Sequence, residues 1–195
     1  MTLLILGLVI FLGAHSIRIV ADGWRTTMVA KLGERRWKRL FTLVSLVGFV
    51  LIIIGYGMGR AAGSPELYAP PTWARHLAIL LVAIAFIFLA AGGKAAPPNR
   101  FRAMVGHPQV VGVKLWSFAH LMANGRVVDV VLFGAFLVWA VALYAASRRR
   151  DRAQGVTRDP GTMKSTAIIA VGGLVVFAVF AIWLHPWLIG VRVMS

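Results

Sequence analysis

Along the 195 residues, runs of Leu, Ile, Val, Phe, Ala and Gly near 20 residues long alternate with short polar connections. The runs cover about 2–21, 40–58, 76–92, 108–124, 127–147 and 166–190. At ~1.5 Å rise per residue, a helix of that length spans a hydrocarbon layer of ~30 Å. The fourth run is the doubtful one. Its core, QVVGVKLWSFAHLMA at 109–123, is short and holds Lys114, Ser117 and His120, so hydropathy alone also allows an interfacial amphipathic helix. Pro65, Pro70, Pro71, Pro97 and Pro98 mark helix ends, and Asn124-Gly125 marks a tight turn. The expected fold is one all-α domain, an integral membrane six-helix bundle.

Composition agrees with that pattern: 59% of the residues are apolar and 14% charged, against about a quarter charged in soluble domains. The net charge of +15 would suggest nucleic acid in a soluble chain, but its distribution says otherwise. With six crossings, the connections 22–39, 93–107 and 148–165 share one side and carry 15 Lys and Arg, while Arg60, Arg75, Arg126 and Arg192 are the 4 on the other side. Such a split over short loops is the positive-inside pattern, which places both termini outside and the basic loops in the cytoplasm. Without the fourth crossing, the six basic residues of 148–165 would be exported. The charge is therefore an orientation signal and predicts no nucleic-acid partner. Residues 1–20 lack a basic leader, and His15-Ser16 stands where small cleavage-site residues would be expected, so they read as a retained helix. GYGMG at 55–59 lacks the strand-turn-helix setting of a phosphate loop and reads as close helix packing.

The absence of cysteine removes disulfides, thiolate metal sites and thiol catalysis, leaving nitrogen and oxygen side chains as the available chemistry. All five histidines, His15, His76, His107, His120 and His185, fall in or at the end of an expected helix. Polar groups in hydrocarbon are functional candidates by default, and histidine is the commonest nitrogen ligand of metals and heme. His107 and His120, thirteen residues apart, fall on opposite sides of the fourth helix and ~20 Å apart, too far to share an iron. His120 shares a face with Gln109, Val113, Trp116 and Asn124, with Ser117 on its edge, a stripe expected to face the bundle interior. Arg18 and Lys114 lie in the inner half, where they can snorkel to headgroups or meet the carboxylates of an anionic cofactor. HPQVVGVKL at 107–115 and HPWLIGVRV at 185–193 echo each other, a chance likeness of apolar segments.

GAHSIRIV, the run from RTTMVAKLGERRWKRLF to IIIGYG, PPTWARHL, GHPQVVGVKLWSFAHLMANGRVVDVVLF and LHPWLIGVRV together resemble the NnrU family over nearly the whole chain, most specifically from His107 to Asp129. The resemblance implies a multi-pass protein of the bacterial inner membrane associated with nitrogen-oxide reduction. The family is similar in turn to zeta-carotene isomerase, a membrane enzyme with heme b that isomerises a cis double bond. That likeness implies heme b here, with the iron-binding histidines of the HS and W-x-x-A-H motifs falling on His15 and His120. The isomerase has a cysteine, implicated as an alternative iron ligand, where this chain has Ser117, so a switch to thiolate ligation is impossible.

The resemblance and the helix directions pull apart on one point. His15 is expected in the inner half of a descending helix and His120 near the outer end of an ascending one, roughly 10 Å apart in depth. His76, His120 and His185 form an outer layer by the same reckoning and are the rival metal set, with His107 a further alternative ligand. The expected function is redox-linked: isomerisation of an apolar polyene by a heme-dependent isomerase, or handling of a small gas ligand in nitrogen-oxide metabolism. The alternatives are a non-enzymatic scaffold or accessory subunit whose histidines are structural, and a transporter with Lys114 and the histidines on a proton path. Lipid is the one partner the pattern names, and nothing in it specifies an oligomer.

Overall fold

The computed structural model describes residues 1–190 and 193. Arg192, one of the four cations assigned to the outer side, lies outside the described residues, as does part of the 185–193 echo. The elements are α1 (Thr2–Val20), α2 (Asp22–Leu32), α3 (Glu34–Ala61), α4 (Thr72–Ala91), α5 (Arg100–Val105), α6 (Pro108–Ala123), α7 (Val127–Ala153), α8 (Met163–Val179) and α9 (His185–Ile189), with a π-helical turn at Phe180–Leu184 joining the last two. Among the described residues no strand forms beyond an isolated bridge between Glu66 and Arg126. Among the described residues, five helices are long and apolar enough to cross a membrane: Thr2–Val20, Glu34–Ala61, Thr72–Ala91, Val127–Ala153 and Met163–Ile189.

The apolar runs all become helices, several longer than their hydropathy. The second extends from the expected 40–58 to Glu34–Ala61, and the fifth from 127–147 to Val127–Ala153. In both, the added turns carry charged residues, and backbone hydrogen bonding carries the helix past the end of its apolar stretch. Two connections that read as loops contain helices. Asn99 caps α5 by accepting from the Arg102 N–H at 2.9 Å, and Gly106 ends it at φ 79°, a conformation that a side chain disfavours. Helix α2 follows Ala21 directly and stops at Gly33.

Side-chain size is distributed in the manner of a membrane bundle, with small residues at the contacts and large ones outside. Ala85, Ala91, Ala119 and Ala140 are fully buried, whereas Val9, Val138, Ile168 and Trp183 are more than half exposed. The α1–α3 contact is close enough that a Cβ on Gly7 would lie 2.6 Å from the Ile52 nitrogen, and one on Gly55 would enter the Leu4 backbone. Gly55 belongs to the GYGMG segment, whose role is thus packing. Neighbouring helices follow the order α3, α1, α7, α6, α4, α8. The main apolar cluster, Leu4, Leu8, Ile52, Val128, Leu132 and Phe133, lies among α1, α3 and α7, with Trp116 and Leu121 of α6 against it.

Helix α6 is short, but it runs the length of this packing antiparallel to α7. His107, just before its start, bonds Asp151 near the end of α7, and its own end meets the start of α7 through Asn124, Gly125 and Arg126. The basic connections come together at one end, where Arg150 Nη1 donates to the Arg18 carbonyl and Ser165 Oγ to the Pro98 carbonyl.

Candidate functional site

Trp116 and His120, one turn apart on α6, project onto Phe133 and Phe136 of α7. Ring centroids are 5.0 Å apart for Trp116–His120, 4.5 Å for His120–Phe133 and 5.5 Å for Trp116–Phe136. The Nδ1 of His120 lies 2.8 Å from the Trp116 carbonyl. A carbonyl only accepts, so Nδ1 carries the proton and Nε2 keeps the lone pair. His15 is built the same way, with Nδ1 2.7 Å from the Phe11 carbonyl and its ring among Phe11, Phe41 and Trp139. Metal-ligating histidines commonly donate their second nitrogen to such a group, which fixes ring and tautomer.

Each histidine thus offers Nε2 as a donor, but the two stand at different levels and do not converge on one point. His15 is level with Trp139 of α7 and His120 with Phe133, six residues earlier, which is ~9 Å along the helix. The way between them is occupied by aromatic rings: Phe11 meets Phe136 at 5.9 Å, and Phe136 meets both Trp116 and Trp139 at 5.5 and 6.4 Å. An apolar groove of about 650 Å³ between α1 and α7 and a pocket of about 150 Å³ around His107 both lie elsewhere.

The other expected site residues scatter. Asn124 stays with His120, donating to its carbonyl at 3.0 Å. Ser117 is fully buried and bonds the Val113 carbonyl at 2.8 Å. Lys114 places Nζ 4.6 Å from the centre of the Tyr144 ring, and Arg18 pairs loosely with Asp22 at 3.6 Å. Gln109, on the same stripe as His120, is exposed beside Gly92. His107 Nε2 is engaged by Asp151 at 2.9 Å, which makes His107 a tie between the start of α6 and the end of α7. His76 is exposed, and His185 is half-buried against Phe180. Among the described residues, no three His, Cys, Asp or Glu side chains gather as a metal site, so the outer layer of His76, His120 and His185 does not assemble.

Two carboxylate clusters escaped sequence reading. Asp129, 1% exposed, accepts on Oδ1 from Tyr56 Oη at 2.7 Å and Arg60 Nη1 at 2.9 Å, and on Oδ2 from the Arg126 N–H at 3.2 Å. Phe133 joins this cluster to the histidine, touching both Tyr56 and His120. At the basic end, Asp151 Oδ2 accepts from His107, Arg158 at 2.8 Å and Arg148 at 3.5 Å. The available signal was the carboxylate inside the apolar run VVDVVLF, as much an intramembrane oddity as any histidine.

Long apolar helices with small residues at their contacts define an all-helical, multi-pass membrane protein. A family model described as NnrU protein matches residues 3–193, and the chain belongs to that family. Compared with curated proteins and with solved structures, it finds no match.

Proposed function

We propose that this NnrU protein crosses the bacterial inner membrane six times, with both termini outside, and carries heme b on a single axial histidine, His120, in a nitrogen-oxide-linked role. The 15-to-4 division of basic residues and the antiparallel course of α6 beside α7 support the six crossings and their orientation.

The observation that carries the cofactor reading is the His120 tautomer. Its Nδ1 is bonded to the Trp116 carbonyl, which leaves Nε2 as the ligating atom. His15 stands at another level behind aromatic rings, so it supplies no second ligand to the same iron. When bound on His120, heme b would supply an iron with affinity for a diatomic such as nitric oxide. The chain's own part is to hold the imidazole in one tautomer and to shield it with Trp116 and Phe133. Asn124 braces the helix end by bonding the His120 carbonyl. Polyene isomerisation is the weaker use of the same cofactor, because Ser117 replaces the thiol of the isomerase.

A second reading, a non-enzymatic scaffold, is favoured by one observation: the rings of Phe11, Phe136, Trp116 and Trp139 already fill the space between the histidines. Absorption spectroscopy of the full chain purified from heme-sufficient cells separates the two. A Soret band with matching iron is expected, lost in His120→Ala, kept in His15→Ala and shifted by nitric oxide. Loss of the band in both variants restores two-histidine ligation, and absence of the band from the parent protein leaves the scaffold.

A further inference from the structure

The groove between α1 and α7 has a built shape and a charged end that the heme reading does not use. The two helices run in the same direction, since Phe11 meets Phe136 and His15 meets Trp139. Gly13 and Gly134, on facing walls, would each point a Cβ into open space, in contrast to the packed glycines of the α1–α3 contact. The groove extends from Leu8 to Val20 on α1, twelve residues or ~18 Å, slightly more than half a hydrocarbon layer of ~30 Å. Val9 and Val138 on its rim are 65% and 71% exposed, so it opens sideways to lipid.

Its Val20 end leads to Arg150. Eleven residues after Trp139, Arg150 lies on the same face of α7 to within ~20°. Its side chain turns back to α1, donating through Nη1 to the Arg18 carbonyl at 2.9 Å and through Nη2 to Ser147 Oγ at 3.1 Å. Both acceptors are neutral, and among the described residues Arg150 forms no ion pair within 4.0 Å, unlike Arg148 and Arg158 on Asp151. The guanidinium is thus oriented, half-buried and without an ion-pair partner within 4.0 Å at the head of an apolar slot one leaflet deep.

We propose that this groove is a specific site for one anionic phospholipid, its phosphate on Arg150 and one acyl chain laid along Gly13 and Gly134 toward Leu8. The length matches a chain descending from the basic face. A fixed cation at the level where α1 ends supplies the complement to a phosphodiester, as basic pockets between membrane helices do for anionic headgroups.

The test is native mass spectrometry of the full chain in detergent, titrated with phosphatidylglycerol or phosphatidylcholine carrying identical oleoyl chains. Phosphatidylglycerol is expected to bind about fivefold more tightly, the effect of one basic residue near an anionic headgroup. Arg150→Gln should weaken phosphatidylglycerol about fivefold and phosphatidylcholine, whose choline already offsets its phosphate, by less, so that the preference between them is lost. Gly134→Leu, which fills the slot without touching Arg150, should weaken both lipids. Gly13→Leu does the same from the opposite wall, and both substitutions fall at open helical positions where they favour the helix. Equal binding of the two lipids by the parent protein, or unaltered binding by a folded groove-filled variant, overturns the proposal.

Discussion

Arg60 and Asp129 meet at 2.9 Å across the α3–α7 contact, the carboxylate almost wholly buried and the guanidinium 29% exposed. Removing one partner of such a pair leaves the other as an uncompensated charge, whereas replacing both with apolar groups of similar size does not. Arg60→Met should cost about 3 kcal/mol. Asp129→Leu added to it removes the orphaned charge but also the acceptor of Tyr56 Oη and of the Arg126 N–H, and should restore part of the loss. Thermal melts of the two variants in one detergent decide this, and a double variant no more stable than Arg60→Met would contradict it.

Glycine positions in α3 should differ sharply within one turn. A Cβ at Gly55 runs into the α1 backbone, while one at Gly57 meets nothing within 4 Å. Gly55→Ala should therefore destabilise by about 1–3 kcal/mol through forced separation of the helices. Gly57→Ala should be neutral, or stabilising by up to about 1 kcal/mol from helix propensity alone. Paired melting curves supply the comparison.

Tyr68, in the connection between α3 and α4, bonds the carbonyls of Leu121 and Asn124. Burial, and then the Asp129 carboxylate, hold its hydroxyl above the ordinary phenol range. The folded state thus keeps this proton to higher pH than the unfolded chain does. The contribution is complete below about pH 10 and is lost as pH rises through the folded value. Tyr68→Phe should cost about 1 kcal/mol at neutral pH and flatten the loss of stability in melts between pH 9 and 11.

The basic end offers a test of orientation. Asp151 anchors Arg158, and with it the segment between α7 and α8, by a 2.8 Å bond. Trypsin should cut that segment in inverted membrane vesicles and spare it in intact spheroplasts. Asp151→Asn removes charge-assisted bonds of about 1.5 kcal/mol, so the open population and the cutting rate should rise roughly tenfold. Cleavage confined to spheroplasts would reverse the topology.

Much of the helical pattern was legible in the sequence because membrane helices declare themselves by composition and length. The separation of His107 from His120 followed from helical rise, and so did the offset of His15 from His120 that the Trp139 and Phe133 levels display. Helices α2 and α5 were not legible: they are short and polar, and a cap on Asn99 and stops at Gly33 and Gly106 define them. The partners of Asp129 and Asp151 are 69 residues away for Arg60 and 44 for His107, distances over which a single sequence carries no pairing signal. Nor does hydropathy distinguish an aromatic ring that lines a cofactor slot from one that closes it, which is the question Phe136 raises.

The π-helical turn at Phe180–Leu184 has a consequence for the tail of the chain. The His185 N–H reaches back five residues to the Phe180 carbonyl, just ahead of Pro186, whose ring would collide with a regular preceding turn. In length and angle this is one residue inserted into an ordinary helix. Deleting Ile182 would leave four residues where the wide turn holds five, so His185 would stay on nearly the same side of the axis. The side of the bundle that His185 faces is thus set by the width of one turn: closing it as a regular helix with no residue removed would swing His185 by one residue's step, ~100°.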